Sequence, residues 1–108
     1  MEVKLREEDD ILVVSVSGRL DTLSAPSFQK ELEKQIEQGA KRIVFDCSDL
    51  EYVSSAGLRS TLIIAQKAKA AEGRLVCCRL RGLVKKVFEI SKFSEIVPTF
   101  DSLDEALK

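Results

Sequence analysis

Four small residues, Ser54-Ser55-Ala56-Gly57, are the best position in the chain for chemistry on a hydroxyl group. They straddle the start of a predicted helix that runs from about Ala56 to Glu72. The first N–H groups of a helix lack intrahelical acceptors and the helix dipole is positive there, so the position suits an anion such as a phosphate. The same residues also fit a serine that simply caps the helix. These residues alone leave both interpretations open.

The segment that leads into this helix is unusually long. Asp46–Ser55 connects a predicted strand to the helix and has ten residues. Connections between a strand and a helix usually have about two to six, and extra length there is often functional.

The sequence offers little support for catalysis or for a cofactor. It contains no histidine, which excludes Ser-His-Asp and Cys-His arrangements and histidine-ligated metals. The glycine spacing of a nucleotide-binding P-loop and the G-x-S-x-G pattern of a nucleophilic serine are both missing. Without Cys-x-x-Cys spacing, we expect no zinc site or disulfide but free, buried thiols at Cys47, Cys77 and Cys78. Three carboxylates could in principle hold a cation but are more often solvated caps: Asp21, Asp46 and Asp49. We therefore expect no catalytic residue, no metal and no cofactor.

Composition narrows the choice of partners. The 108 residues are 44% hydrophobic and 32% charged, with a net charge of -1. This is typical of one globular domain, which we place at 1–108. A near-neutral charge predicts no direct binding to nucleic acid or to a membrane surface. No apolar run is long enough for a membrane span and no signal peptide is visible, so we expect a cytoplasmic protein.

The elements that position the serines follow from hydrophobic periodicity. Two strands joined by the polar turn Glu7–Asp10 form an antiparallel hairpin. A helix follows, for which we predict Ser24 as the N-cap, Pro26 in the first turn and Gly39 just past the end. A buried strand at 43–45 completes a crossover unit, so it should lie parallel to the second strand.

The rest of the chain repeats this alternation. After the helix at 56–72 we predict a strand at Leu75–Cys78, a helix opened by Gly82 and a last strand at Ile96–Phe100, placed at the sheet edge by Pro98. A capping box starting at Ser102 begins a short final helix. The predicted fold is α/β, in the order ββαβαβαβα, with a mixed, mostly parallel sheet, an antiparallel first strand and about four helices. Loops at the carboxyl ends of such strands are where ligands gather.

The helix after the serines has two faces. Its core side should carry Gly57, Leu58, Thr61, Leu62, Ala65 and Ala68. The opposite side carries Arg59, Ser60, Gln66 and Lys67, and among them Ala56, Ile63 and Ala70. An exposed Ile63 close to Arg59 suits a contact with another protein, although single exposed apolar residues are also normal.

The segment from Asp46 to Leu58 resembles the signature of the STAS domain, the fold of bacterial anti-sigma factor antagonists. The matching residues are Asp46-Cys47-Ser48, then four residues, Val53, Ser54-Ser55-Ala56-Gly57 and Leu58. Gly18-Arg19-Leu20-Asp21 resembles a second family motif, and length and element order agree along the whole chain. The chain departs from the family pattern by Ser54 in place of an aspartate and by Ala56 in place of a serine.

The resemblance implies a regulatory function. It implies that Ser55, with Ser54 as second choice, is phosphorylated by an anti-sigma factor that is itself a serine kinase and binds ATP. The unmodified protein would bind that partner and free a sigma factor for transcription, and a phosphoserine phosphatase would restore the modified form. By the resemblance and the helix pattern, the partner surface would comprise Asp21, Ser54, Ala56, Gly57, Arg59 and Ile63. Asp21 also fits a loop carboxylate that fixes a turn.

Two other interpretations are possible. The chain could be a STAS regulatory module of a transporter-associated or stress-sensing complex. It could also be an enzyme with Ser55 as nucleophile, but no base, oxyanion-hole partner or metal cluster accompanies that serine.

Overall fold

The computed structural model describes all residues from Met1 to Lys108. The strands are β1 (Glu2–Glu8), β2 (Ile11–Leu20), β3 (Arg42–Asp46), β4 (Leu50–Val53), β5 (Arg74–Cys78) and β6 (Thr99–Phe100). The helices are α1 (Ala25–Glu37), α2 (Ser55–Ala70), α3 (Gly82–Ile90) and α4 (Leu103–Leu107), with a 3-10 turn at Phe93–Glu95. No helix has the length and apolar character needed to cross a membrane.

One mixed sheet carries the fold in the order β1-β2-β3-β5-β6. The β1 and β2 strands are antiparallel, and all other pairs are parallel, as the alternating pattern predicts. β4 pairs with the end of β2, at Gly18–Leu20, and lies outside the main path of the sheet. The predicted α/β class, hairpin and parallel crossovers are confirmed.

The two faces of the sheet are covered unequally. On one face α1, α2 and α3 bury the larger core, which is centred on Phe28, Phe45 and Phe88. On the other face the short helix α4 covers a smaller cluster through Ala106. The start of α2 lies on the face with the larger core, and its position is fixed because the helix packs both on the sheet and on α1.

β1 is an open edge of the sheet. Its apolar residues Val3 and Leu5 are half-buried and pack against the larger core. Its charged residues form two ion pairs along the strand, Lys4 with Glu2 at 3.7 Å and Arg6 with Glu8 at 3.3 Å.

Two predicted boundaries need correction. The connection after β3 contains the strand β4, which lies between Asp46 and Ser54 and was not predicted. The last strand is only Thr99–Phe100, because the chain at 93–95 turns into a 3-10 helix and Pro98 has no N–H to donate to a sheet. Ser24 occupies the predicted N-cap position of α1, but its side chain makes no capping hydrogen bond there.

Candidate functional site

The segment before α2 is anchored at its start by an ion pair whose carboxylate is buried. Asp46, at the end of β3, is 3% exposed and accepts hydrogen bonds from Nε and Nη2 of Arg79, which follows β5. It also accepts from the N–H of Ser48 at 3.1 Å. Burial alone would raise the pKa of Asp46, but the Arg79 and Ser48 hydrogen bonds lower it below the ordinary value. The carboxylate therefore stays ionised and fixes the beginning of the segment.

Ser54 is the N-cap of α2. Its Oγ accepts the N–H of Gly57 at 3.2 Å, and its carbonyl accepts the N–H of Leu58 at 2.9 Å. Its own N–H donates to the carbonyl of Leu20 at 2.9 Å, which ties the cap to the end of β2. The capping role that the sequence left open between the two serines thus belongs to Ser54.

Ser55 is the first residue of α2 and is exposed. Its hydroxyl makes no hydrogen bond within the protein, and neither its N–H nor that of Ala56 has a protein acceptor. An accessible hydroxyl thus stands beside two unpaired N–H groups at the positive end of a 16-residue helix. No carboxylate or thiol is hydrogen-bonded to Ser55 that would act as a base.

Gly57 lets α2 start close to the sheet. A Cβ at this residue would lie 2.6 Å from the carbonyl oxygen of Leu20 and 2.9 Å from Cγ2 of Val53. Gly57 is therefore buried, and its close approach is to β2 and β4. Gly57 supports the site from the sheet side and, being buried, presents little of the predicted partner surface itself.

Asp21 organises the loop beside the cap. Its Oδ1 accepts from the N–H groups of Leu23 and Ser24, both at 3.1 Å, and its carbonyl accepts the N–H of Ala25 at 2.8 Å. The N–H bonds to Oδ1, led by that of Ser24, lower the pKa of Asp21. Ser24, the predicted cap, donates its hydroxyl to the carbonyl of Arg19 and accepts the N–H of Asp21. Asp21 thus holds the turn, as its interpretation as a turn-fixing carboxylate predicts. The turn adjoins Ser54 through Leu20.

Arg19 completes this loop. Its Nε lies 3.7 Å from Oδ2 of Asp21, and its guanidinium stacks 4.1 Å from the ring centre of Tyr52 in β4. The charge of Asp21 is therefore already balanced within the loop.

A groove of about 380 Å³ runs between α1 and α2 next to Ser55. Its walls include Pro26 and Gln29 of α1, with Ala56 and Arg59 of α2. Ala56 is half-buried and Arg59 is exposed, so both line surface close to Ser55. The largest cavity, about 630 Å³, lies at the opposite end of the sheet and contains none of the predicted site residues.

Two residues of α2 lie deeper than their predicted positions on the outward face. Ser60 is buried and donates to Oε1 of Gln29 at 3.0 Å, because α1 packs on this side of α2. Ile63 is half-buried and therefore less exposed than predicted. Farther along, Lys67 of α2 pairs with Glu33 of α1, an ion pair that also links the helices.

The sequence analysis missed two residues that position the site. The first is Arg79, although both it and Asp46 stand at the ends of buried strands that are neighbours in the sheet. The second is Leu20, whose carbonyl accepts the N–H of Ser54 and leaves no room for a side chain at Gly57. A search for opposite charges at adjacent strand ends would have found the first, while the second acts through its backbone and leaves no side-chain signal.

The three thiols take no part in the site. Cys47, Cys77 and Cys78 are free and buried, as predicted. Burial raises the pKa of Cys47 and raises that of Cys78 to about 12. No cluster of three or more acidic or thiol side chains converges on a possible metal position.

Comparison with known proteins identifies a family and a group of relatives. The model of the family described as STAS domain matches residues 2–106. A Bordetella bronchiseptica protein described as a candidate anti-sigma factor antagonist, BtrV, is 36% identical over 106 residues, covering 98% of this chain and 91% of the relative. Such relatives are named as anti-sigma factor antagonists and not as enzymes.

Solved structures of low sequence identity share the fold. A candidate anti-sigma factor antagonist from Thermotoga maritima superposes with a TM-score of 0.92 at 21% identity, covering 97% of this chain and 91% of that one. The Bacillus cell-fate determinant SpoIIAA, in its phosphorylated form, superposes with a TM-score of 0.75 at 21% identity, covering 98% of this chain and 96% of that one.

Proposed function

The chain belongs to the STAS domain family, and from this premise we propose that it is an anti-sigma factor antagonist switched by phosphorylation of Ser55. The unmodified protein binds an anti-sigma factor that is also a serine kinase, and thereby frees a sigma factor for transcription. The partner supplies the bound ATP, and a phosphatase restores the unmodified form. The protein acts in the cytoplasm and makes no direct contact with nucleic acid or with a membrane.

One observation carries this proposal. Of the two adjacent serines, Ser54 uses its Oγ to accept the capping hydrogen bond, whereas the hydroxyl of Ser55 is exposed and makes no hydrogen bond within the protein. A kinase needs an accessible hydroxyl that can be modified without unfolding the substrate, and Ser55 meets that requirement. The relative SpoIIAA, which shares the fold, has a phosphorylated form.

The position also explains why a phosphate would be tolerated by the free protein. A phosphoserine carries about −1.5 to −2 charges at pH 7. The unpaired N–H groups of Ser55 and Ala56 and the helix dipole stabilise such a charge, typically by about 0.3–1 kcal/mol at an exposed site. The modification therefore leaves the fold intact, and the switch is local.

Binding responds in the opposite direction. A partner that covers the start of α2 must remove water from the phosphate, and an unpaired buried charge costs several kcal/mol. Because about 1.4 kcal/mol corresponds to a tenfold change in Kd, we expect phosphorylation to weaken binding by two or more decades. The surface involved comprises Asp21, Ser54, Ala56, Arg59 and the exposed part of Ile63.

The proposal is tested by phosphorylation and calorimetry. The protein is incubated with ATP and the kinase-type anti-sigma factor found by co-purification, and the phosphate is located by mass spectrometry. We expect phosphate on Ser55, none on the Ser55→Ala variant, and undiminished phosphate on Ser54→Ala at a temperature where that variant is folded. Titration of the partner should give tight binding of the unmodified protein and of Ser55→Ala, with weaker binding of Ser55→Asp.

Two results would contradict the proposal. Phosphate on Ser54 with Ser55 unmodified would show that Ser55 is not the acceptor. Equal affinity of the phosphorylated and unmodified proteins would exclude the switch. Co-purification with subunits of a membrane transporter or a stress-sensing complex, and with no kinase, would support the alternative regulatory module.

A further inference from the structure

Helix α2 places a basic side chain one turn after Ser55. Ser55 and Arg59 are four residues apart, so their Cβ atoms lie on the same side of the helix, about 5–6 Å apart. Both residues are exposed. An acidic group four residues before a basic one is the favourable order for an ion pair on a helix.

Arg59 is available for such a pair. It takes part in none of the ion pairs of the structure, and the arginines that donate hydrogen bonds are others. The other basic residues around the site are engaged: Arg19 with Asp21, Arg79 with Asp46 and Lys67 with Glu33.

Asp21 follows Leu20, whose carbonyl accepts the N–H of the cap Ser54, and the negative charge of Asp21 would oppose a phosphate at the start of α2. Its charge is offset by Arg19 and by the N–H groups of its own turn. The unbalanced charge beside Ser55 is thus the positive charge of Arg59.

We propose that Arg59 is a positioning residue for the phosphorylated state, and this rests on the proposed phosphorylation of Ser55. Its guanidinium binds the phosphate of phosphoserine 55 and holds it against α2, with the two-pronged geometry that arginine offers to phosphate oxygens. Arg59 then changes its role with the modification. In the unmodified protein it is free to contact the partner, and in the phosphorylated protein it is bound within its own helix. Phosphorylation therefore adds a negative charge to the partner surface and also removes a positive one.

The experiment installs phosphoserine at position 55 during protein synthesis, so that no kinase is needed. The pKa of the second ionisation of the phosphate is then measured by ³¹P NMR titration. A cation close to the phosphate favours its doubly charged form and lowers this pKa from its usual value of about 6. We expect Arg59→Gln to raise the pKa by about 0.2–0.4 units, which corresponds to about 0.3–0.5 kcal/mol at 1.36 kcal/mol per unit. The matched control Lys69→Gln removes the same charge from an exposed position of the same helix and should leave the pKa unchanged.

Arg59→Lys supplies a second criterion. It keeps the charge but lacks the planar fork, so the pKa should fall between those of the wild-type protein and Arg59→Gln. Equal pKa values in the wild-type protein and Arg59→Gln would overturn the inference, as would an equal shift in Lys69→Gln. Because the phosphate is placed without a kinase or partner, these results are independent of whether a kinase modifies Ser55. A missing kinase reaction would count against the proposed function alone.

Discussion

Separate replacement of the two adjacent serines by alanine should distinguish the helix cap from the phosphate acceptor. In Ser54→Ala the N–H of Gly57 loses its acceptor, and loss of such a cap costs about 1 kcal/mol. In Ser55→Ala no hydrogen bond is lost, and an exposed substitution of this kind changes stability by less than about 0.5 kcal/mol.

The expected difference is large enough to measure by thermal unfolding. An unfolding entropy of about 2.1 cal/mol/K per residue gives roughly 0.23 kcal/mol/K for 108 residues. Ser54→Ala should therefore lower Tm by about 4 °C, and Ser55→Ala should change it by less than about 2 °C. Far-UV circular dichroism gives Tm, and urea titration should show an unchanged m value if both variants fold alike.

The outcome also bears on function. If Ser55→Ala proved the more destabilised variant, Ser55 would be the cap and the argument for a free hydroxyl would fail. Equal losses in both variants would mean that the two side chains share the capping role, which contradicts the geometry at Gly57.

Three further predictions follow from the packing around the site. Arg79→Met leaves the Asp46 carboxylate unpaired, and we expect a loss of about 1–3 kcal/mol at pH 7, less than for a fully buried pair because Arg79 is partly exposed. The folded pKa of Asp46 is lowered, so its stabilisation is present above its unfolded pKa of about 3.9 and is lost as pH falls through the folded value. Denaturation curves from pH 7 to about pH 2 should therefore show the two proteins converging as the Asp46 carboxylate is protonated below about pH 4, and a difference that stays constant to the lowest pH would contradict the ion pair. Burial raises the pKa of Cys78 to about 12, so the native protein at pH 8 should resist iodoacetamide while the urea-unfolded protein is alkylated at all three thiols; rapid native labelling would show that they are accessible. Gly57→Ala should destabilise by about 1–2 kcal/mol, since overpacking against the Leu20 carbonyl exceeds the gain in helix propensity, and a raised Tm would refute this close approach.

The main architecture was predictable because strong local signals agree with each other. The hairpin, the parallel crossovers and the edge position of the last strand follow from apolar periodicity, from glycines at helix ends and from Pro98. The capping box at Ser102 is also confirmed, with its Oγ accepting the N–H of Glu105 at 3.1 Å.

The remaining features depend on contacts between distant parts of the chain. The strand β4 has only four residues, which is too short for a clear alternating pattern in the sequence. Its conformation depends on pairing with Gly18–Leu20. The burial of Ser60 depends on α1, which packs on a side of α2 that looks polar in the sequence. At the candidate site, the sequence could place two serines at a helix start, but only the hydrogen bond to Gly57 tells the cap from the free hydroxyl.

The charges along β1 discourage self-association through the open edge of the sheet. If two copies paired their β1 strands antiparallel over the full length, Leu5 would face Leu5 across the symmetry axis. Glu2 would then oppose Glu8, and Lys4 would oppose Arg6, so every charged pair would be a pair of like charges. Like charges directly opposite each other destabilise a strand pair, whereas the existing ion pairs within β1 match these four charges, Glu2 with Lys4 and Arg6 with Glu8, in the monomer. The ion pairs of this strand thus oppose full-length edge-to-edge pairing of the kind that leads to aggregation.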